Sequence, residues 1–317
     1  MLTSPVLTPF TACDGENLAL YEWPLATWPN ERGEDAPPPR GMVLLVHGLG
    51  EHAIRYNHVA NHLMNWGFAV RSYDQRGHGE SDGVRGALPH ESALLHDLAD
   101  LVDDTRRRCK QLVASRPLRS VAAGQLLPLI LLGHSLGGLV VSRFVAQQMR
   151  PVDGLVLSSP ALDAGMRPLQ KLLLAVLLKL VPDFCIGNGL DARYISHDGE
   201  VVKNYIADPL VHDRISPRLG QFIARSGGPT VAAAARWKVP TLLMYAGADR
   251  LVNPAGSRAF AENAAKSVDV KPGTVTARCF DELYHEIFNE ADTAPVFGAL
   301  KTWLDARFQG RKKPVTQ

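Results

Sequence analysis

The stretch LILLGHSLGGLVVSRFV, residues 129–145, sets one serine between two glycines where one periodicity gives way to another. Leu129 to Leu132 is a short, continuously apolar run, as expected of a strand buried on both faces. Beyond it Leu139, Val140, Phe144 and Val145 fall near helical spacing, with Ser142, Arg143, Gln147 and Gln148 at the other positions. Ser135 therefore sits on a sharp strand-to-helix turn. Gly133 and Gly137 stand two residues either side because a turn folded back so tightly has no room for a Cβ. The pattern G-x-S-x-G is the nucleophile elbow, which lifts a serine hydroxyl out of a sheet and toward the positive end of a helix. The plainer alternative is a glycine-rich turn with an incidental serine.

The surrounding chain repeats the same alternation. NLALYEWP (17–24) reads as an edge strand, and PNERGEDAPPPRG (29–41) as a polar surface excursion. MVLLVHG is a buried strand stopped by glycine, and HVANHLMNWG is a helix that ends at Gly67. FAVRSYD is a strand, QRGHGESDG a turn-rich loop, and SALLHDLADLVDDTRRRC an amphipathic helix. After the elbow come the strand DGLVLSSP, the strand PTLLMYAGAD, the helix SRAFAENAAK, the strand TARCFDE and a helix over 293–307. Strands alternating with helices predict a mostly parallel central sheet flanked by helices. Between Ala161 and Lys238 the alternation stops, with helical patches and no clear strand pair. We read an α/β core over 1–160 and 238–317, with a helical cap, 161–237, inserted over the strand ends where ligands bind such sheets.

A serine hydroxyl needs a base, and the base needs an orienting acid. On an elbow the chain order is serine, acid, histidine. Three histidines follow Ser135: His197 and His212 in the insertion, and His285 in a loop after the last strand signal. Asp249 closes YAGAD directly after a strand, at the edge where catalytic loops gather, whereas Asp208 and Asp213 lie in the insertion. The expected set is Ser135, Asp249 and His285. An oxyanion needs backbone donors. The N–H of Leu136, just past the serine, supplies one, and Leu49 in the HGLGE loop (47–51) supplies the other.

Taken in order, HGLGEHAIRY, SYDQRGHGESDG, LLGHSLGG, ADPLVHD, YAGADRLVNP and YHEIFNE resemble the monoacylglycerol lipase family of the α/β-hydrolases, grouped with lysophospholipases and enzymes labelled serine aminopeptidases. The resemblance runs from about residue 14 to residue 305. It implies an α/β-hydrolase fold with an inserted helical lid. By position it implies Ser135 as nucleophile, Asp249 as acid, His285 as base, and Leu49 and Leu136 as oxyanion donors. Glu51 and Arg55 fall where the family has an acidic and a basic residue near the polar end of the substrate. Leu49 stands where a smaller residue is common, which implies a narrower acyl entrance.

Other features exclude other classes. With 46% hydrophobic and 21% charged residues and a net charge of +2, the chain is an ordinary globular protein with no field for nucleic acid. Arg106–Arg108 and Arg311–Lys313 read as solvated surface. Cys13, Cys109, Cys185 and Cys279 are too scattered for a disulfide scaffold or zinc site. H-E-x-x-x-E (285–290) puts Asn289 where zinc-protease spacing needs a second histidine, so no metal is expected. D-Q-R-G-H-G-x-S (74–81) is expected to hold the scaffold. No signal-peptide pattern opens the sequence, and LQKLLLAVLLKLV (169–181) is too short to span a bilayer. That stretch is expected to lie buried or on lipid, with Leu173, Leu174 and Leu177 lining the acyl entrance. The expectation is a cofactor-free serine hydrolase of lipid-like esters, monoacylglycerols first, in the cytoplasm with peripheral membrane contact through the cap. Lysophospholipase, acyltransferase or broad carboxylesterase activity are the enzyme alternatives, and a catalytically silent interaction protein is the non-enzyme one.

Overall fold

A computed structural model describes residues 3–24, 39–114, 126–166 and 168–309. Most of the proline-rich excursion at 29–41 and all of the Arg311–Lys313 tail lie outside the described residues. The chain opens with a hairpin, β1 (Val6–Thr11) and β2 (Asn17–Glu22), then β3 (Met42–Val46), α1 (Asn57–Asn65), β4 (Ala69–Tyr73) and α2 (Ala93–Ala114). The elbow unit is β5 (Leu129–His134) and α3 (Leu136–Ala146), followed by β6 (Gly154–Ser158). The chain then leaves the sheet for α4 (Pro168–Leu180), β7 (Ile186–Gly187), α5 (Gly199–Ala207), β8 (Arg214–Ile215) and α6 (Pro217–Ala233). It returns as β9 (Thr241–Ala246), α7 (Ala255–Lys266), β10 (Val275–Phe280) and α8 (Ala294–Arg307).

Eight strands form one sheet in the order β1-β2-β4-β3-β5-β6-β9-β10. Only β2 runs against its neighbours, β1 and β4; from β4 to β10 the pairing is parallel. This is the mostly parallel sheet of the α/β-hydrolase fold. The edge differs from expectation, since β1 covers the outer side of β2. All of its residues but the half-buried Phe10 are exposed, and it contains Pro9. An edge strand tolerates a proline that cannot donate to a neighbour, and gives no alternating pattern to read.

The central strands are buried on both faces, and their alternate residues separate into two cores. Leu44, Leu131, Leu155 and Leu243 pack with Leu98 of α2 and Phe144 of α3. Leu45, Ile130, Val156 and Met244 pack with Val59 and Leu63 of α1 and Leu300 and Leu304 of α8. Each such side chain, fully withdrawn from water, stabilises the fold by about 1.5–3 kcal/mol before entropy is counted. The rigid sheet that results fixes where each strand's last residue points.

Between β6 and β9 the insertion is helical, with a two-residue antiparallel pair, β7 with β8, that its sequence did not announce. The Ser216 hydroxyl accepts the Leu219 N–H at 3.2 Å to cap α6, and Pro217 takes its first turn. α6 lies so close to the chain after β6 that a Cβ on Gly227 would stand 2.1 Å from the Leu162 carbonyl oxygen. Among the described residues no helix is long and apolar enough to cross a membrane.

Candidate active site

Four loops at the carboxyl ends of parallel strands converge, as expected at that edge. Ser135 follows β5 with φ 52° and ψ −118°, a conformation that L side chains rarely adopt. Strain of about 1–3 kcal/mol persists at such a residue only when its surroundings over-determine it. Here they do. A Cβ on Gly133 would lie 2.5 Å from the Gly137 carbonyl oxygen, and one on Gly137 would lie 2.1 Å from that of Val46. The Ser135 N–H donates to the Ser158 carbonyl at 3.0 Å, and its own carbonyl accepts from Leu139 and Ala161. Leu136 opens α3, and the first N–H groups of a helix have no partner within it.

Asp249 lies three residues past β9, and His285 in the loop after β10. Asp249 Oδ2 and His285 Nδ1 stand 2.6 Å apart, both side chains nearly fully buried. The other Asp249 oxygen accepts the N–H groups of Leu251 and Val252, each at 2.9 Å. Burial pushes the Asp249 carboxyl up, but the His285 charge, its hydrogen bond and these two N–H groups hold it below the ordinary carboxylate value. Burial pushes His285 down, but the Asp249 charge and hydrogen bond, with Glu286 and Glu51 nearby, raise it above the ordinary histidine value. His134 packs 4.7 Å from the His285 ring, and burial drives it down to about 3, so it stays uncharged.

The other candidates have different partners. His212 Nε2 donates to the Gly77 carbonyl at 3.0 Å while Nδ1 accepts the Arg214 N–H at 3.1 Å, which fixes a neutral tautomer. His197 pairs with Glu290 at 2.9 Å. Asp208 pairs with His52, and Asp213 is largely exposed beside Arg214. The 74–81 loop is scaffold. Asp74 accepts from Ala53, Glu80 and Tyr21, and Arg76 is bonded by two nitrogens to Asp97.

Glu51 and Arg55 occupy unlike places. Glu51 lines the cavity at Ser135, but its carboxylate already accepts from the Gly48 N–H, the Tyr56 hydroxyl and Arg55. Burial lifts it above the ordinary carboxyl range. Arg55 lies behind that wall, gripping Glu286 with two nitrogens at 2.8 and 2.7 Å, its guanidinium 4.6 Å from the Tyr205 ring. Glu286 is pushed up by burial but held below its ordinary value by Arg55. The Glu51–Arg55–Glu286 cluster thus fixes the 47–51 loop against the loop that carries His285. The 231 residues separating Arg55 from Glu286 hide this pairing from the sequence.

Two cavities meet at the serine. One of about 290 Å³ is lined by Gly48, Glu51, Ser135, Tyr205, His285 and Glu286, among others. The second, about 400 Å³, is lined on its apolar side by Met166, Leu174, Leu177, Ile186, Ile215 and Ile223. Leu49, Ser135, Leu251 and Val252 border both. Leu173 does not line either one. It is 56% exposed and shares the outer face of α4 with Leu169, Leu172, Val176 and Leu180. Successive helix residues are turned by about 100°, so Leu173 and Leu174 cannot face the same way.

The resemblance of whole chains agrees with this geometry. Monoacylglycerol lipase of Mycolicibacterium smegmatis is 35% identical over 84% of this chain and 88% of its own length. The crystal structure of Paleococcus ferrophilus monoacylglycerol lipase superposes with a TM-score of 0.69 at 33% identity, over 86% of this chain and 96% of that one. A monoglyceride lipase of Saccharomyces cerevisiae with a bound substrate analogue superposes with a TM-score of 0.78 over 96% of each chain; at 24% identity it bears on the fold alone. The sequence profile of the family described as serine aminopeptidase, S33, matches residues 37–292, so the chain belongs to that family.

Proposed function

We propose that the chain hydrolyses carboxylic esters of lipid-like alcohols, monoacylglycerols first among them, through an acyl-enzyme on Ser135. The observation that carries this reading is that Ser135 stands where a cavity holding His285, Glu51 and Tyr205 meets a second, more apolar one. An ester with one long apolar arm and one small polar arm would put its carbonyl at that junction. The similarity to monoacylglycerol lipases supports the same substrate class.

In the proposed reaction His285 Nε2 takes the Ser135 proton as Oγ attacks the ester carbonyl. Asp249 holds Nδ1 and stabilises the imidazolium that forms. Charge growing on the carbonyl oxygen is met by the N–H groups of Leu49 and Leu136, the latter at the positive end of α3. The imidazolium then protonates the leaving alcohol. Water repeats the sequence on the acyl-enzyme. The acyl chain lies against Leu174 and Leu177 and the alcohol faces Glu51 and Tyr205.

Residues 161–237 act in this reading as a cap over the site, with α4 as its outer wall. The exposed outer row of α4, Leu169 to Leu180, fits peripheral contact with a lipid surface. Hydrolysis rates across monoacylglycerols, lysophospholipids and nitrophenyl esters of graded length test the assignment. Preference for long-chain monoacylglycerols supports it. A preference for lysophospholipids or indifference to chain length replaces it with a lysophospholipase or a broad esterase.

A further inference from the structure

We infer that Glu290 is a positioning residue for His285, a role that rests on the proposed triad. The loop between β10 and α8 contains no helix or strand, yet it must hold an imidazole to within a fraction of an ångström. The bond from Nδ1 to Asp249 fixes one ring nitrogen. It does not fix the backbone that carries the ring, nor the direction in which Nε2 points.

Arg55 holds that backbone on one side through Glu286, and Glu290 holds it on the other. The Glu290 side chain is 2% exposed. One oxygen accepts the Tyr284 N–H at 2.6 Å and pairs with His197 Nδ1 at 2.9 Å. The other accepts the His197 N–H at 3.0 Å. One carboxylate therefore joins the residue just before His285 to a segment of the insertion. Backbone bonds follow the same seam. The Glu286 N–H donates to the Ile195 carbonyl at 2.8 Å, and the Ser196 hydroxyl donates to the Asn289 carbonyl at 2.8 Å.

Ring contacts extend the clamp to the acid. The His197 ring stacks on Tyr284 at 3.6 Å between centroids and 21° between planes. The Arg250 guanidinium, one residue past Asp249, lies 4.7 Å from the Tyr194 ring and 5.7 Å from that of Tyr284. The neighbours of the acid and of the base thus meet directly, Arg250 against the Tyr284 ring, with Tyr194 and His197 of the insertion packed around them. The spacing of Glu286 and Glu290 after His285 looked only like an incomplete metal motif; its second glutamate is the hub of this seam.

The test compares Glu290→Ala and Glu290→Gln with the unaltered chain, using a short nitrophenyl ester, a fluorophosphonate probe of Ser135, and the low-field proton resonance of the His285–Asp249 hydrogen bond. His285→Gln identifies that resonance by removing it. In Glu290→Ala, kcat and the rate of Ser135 labelling fall together by about 10- to 100-fold while KM stays within about twofold, because a small misplacement of a catalytic group acts on the rate. The resonance shifts or broadens. Glu290→Gln keeps one acceptor oxygen and loses less. Unchanged kcat and resonance in Glu290→Ala overturn the role. So does a loss of kcat that merely tracks the unfolded fraction while the folded fraction keeps its resonance. Should Glu290→Ala fail to fold, unchanged kcat and resonance in Glu290→Gln overturn it equally. Absence of a Ser135 adduct in the unaltered chain overturns the triad beneath it, whereas normal labelling with normal Glu290→Ala turnover overturns this role alone.

Discussion

Asp249 Oδ2 lies 2.6 Å from His285 Nδ1 in a buried pair, across 36 residues of chain. The pair raises His285 above its ordinary value, against the opposing pull of burial. In the proposed reaction the imidazole must be neutral to take the Ser135 proton. Activity is therefore lost as pH falls through the raised value, so the acid limb of kcat/KM has its midpoint above the unperturbed histidine value of about 6.5. Stability runs the other way. A raised imidazole pKa stabilises the fold below the unfolded value, and that contribution fades as pH rises through the folded one. Asp249→Asn should lower the rate by about 10⁴ and move the remaining acid limb to lower pH. A limb that stays in place, read from kcat/KM against pH, contradicts the pairing.

The two faces of α4 have different surroundings, so the proposed acyl contact and the proposed lipid contact are separable by mutation. Leu174 and Leu177 line the apolar cavity, while Leu173 stands 56% exposed on the outer row. Each buried methylene is worth about 0.8 kcal/mol, so kcat/KM should rise by up to roughly fourfold per methylene until the cavity is full. Replacing Leu174 and Leu177 with Ser should flatten that rise and spare short esters. Leu173→Ser should leave the rise intact and weaken adsorption to phospholipid vesicles, measured by sedimentation. A rise that survives the inner pair moves the acyl site elsewhere.

Arg55 carries a stability prediction. Its side chain is 10% exposed between Glu51 and Glu286, which are 3% and 5% exposed. Removing the cation leaves two buried carboxylates uncompensated, so Arg55→Ala should cost about 3–5 kcal/mol in urea unfolding. Arg55→Lys should recover only part, because an ammonium cannot grip Glu286 with two nitrogens while also reaching Glu51. Full recovery by lysine would show that charge alone matters there.

How much of this was legible in the sequence depended on how local each signal is. The elbow was legible because two glycines and a serine must stand at fixed spacing around a positive-φ turn. That Asp249 and His285 would stand together followed from strand ends and chain order, and that the chain leaves the sheet followed from the break in alternation after Ala161. β1 was not legible, because an edge strand exposed everywhere but at Phe10, with Pro9 within it, has no alternating buried pattern to betray it. Leu173 was grouped with Leu174 because an almost wholly apolar helix does not reveal which of its faces turns inward. The partners of Arg55 and Glu290 could not be read either. Arg55 meets Glu286 and Glu290 meets His197 only once distant segments have been folded together, 231 and 93 residues apart.

Whether Ser135 is the nucleophile is read out by a fluorophosphonate probe followed by peptide mass mapping. A single adduct on Ser135 is expected, with no adduct in Ser135→Ala and ester turnover in that variant lower by several orders of magnitude, with only binding and the backbone donors left to act. An adduct on any other residue, or Ser135→Ala protein that still hydrolyses esters at the unaltered rate, would contradict that role.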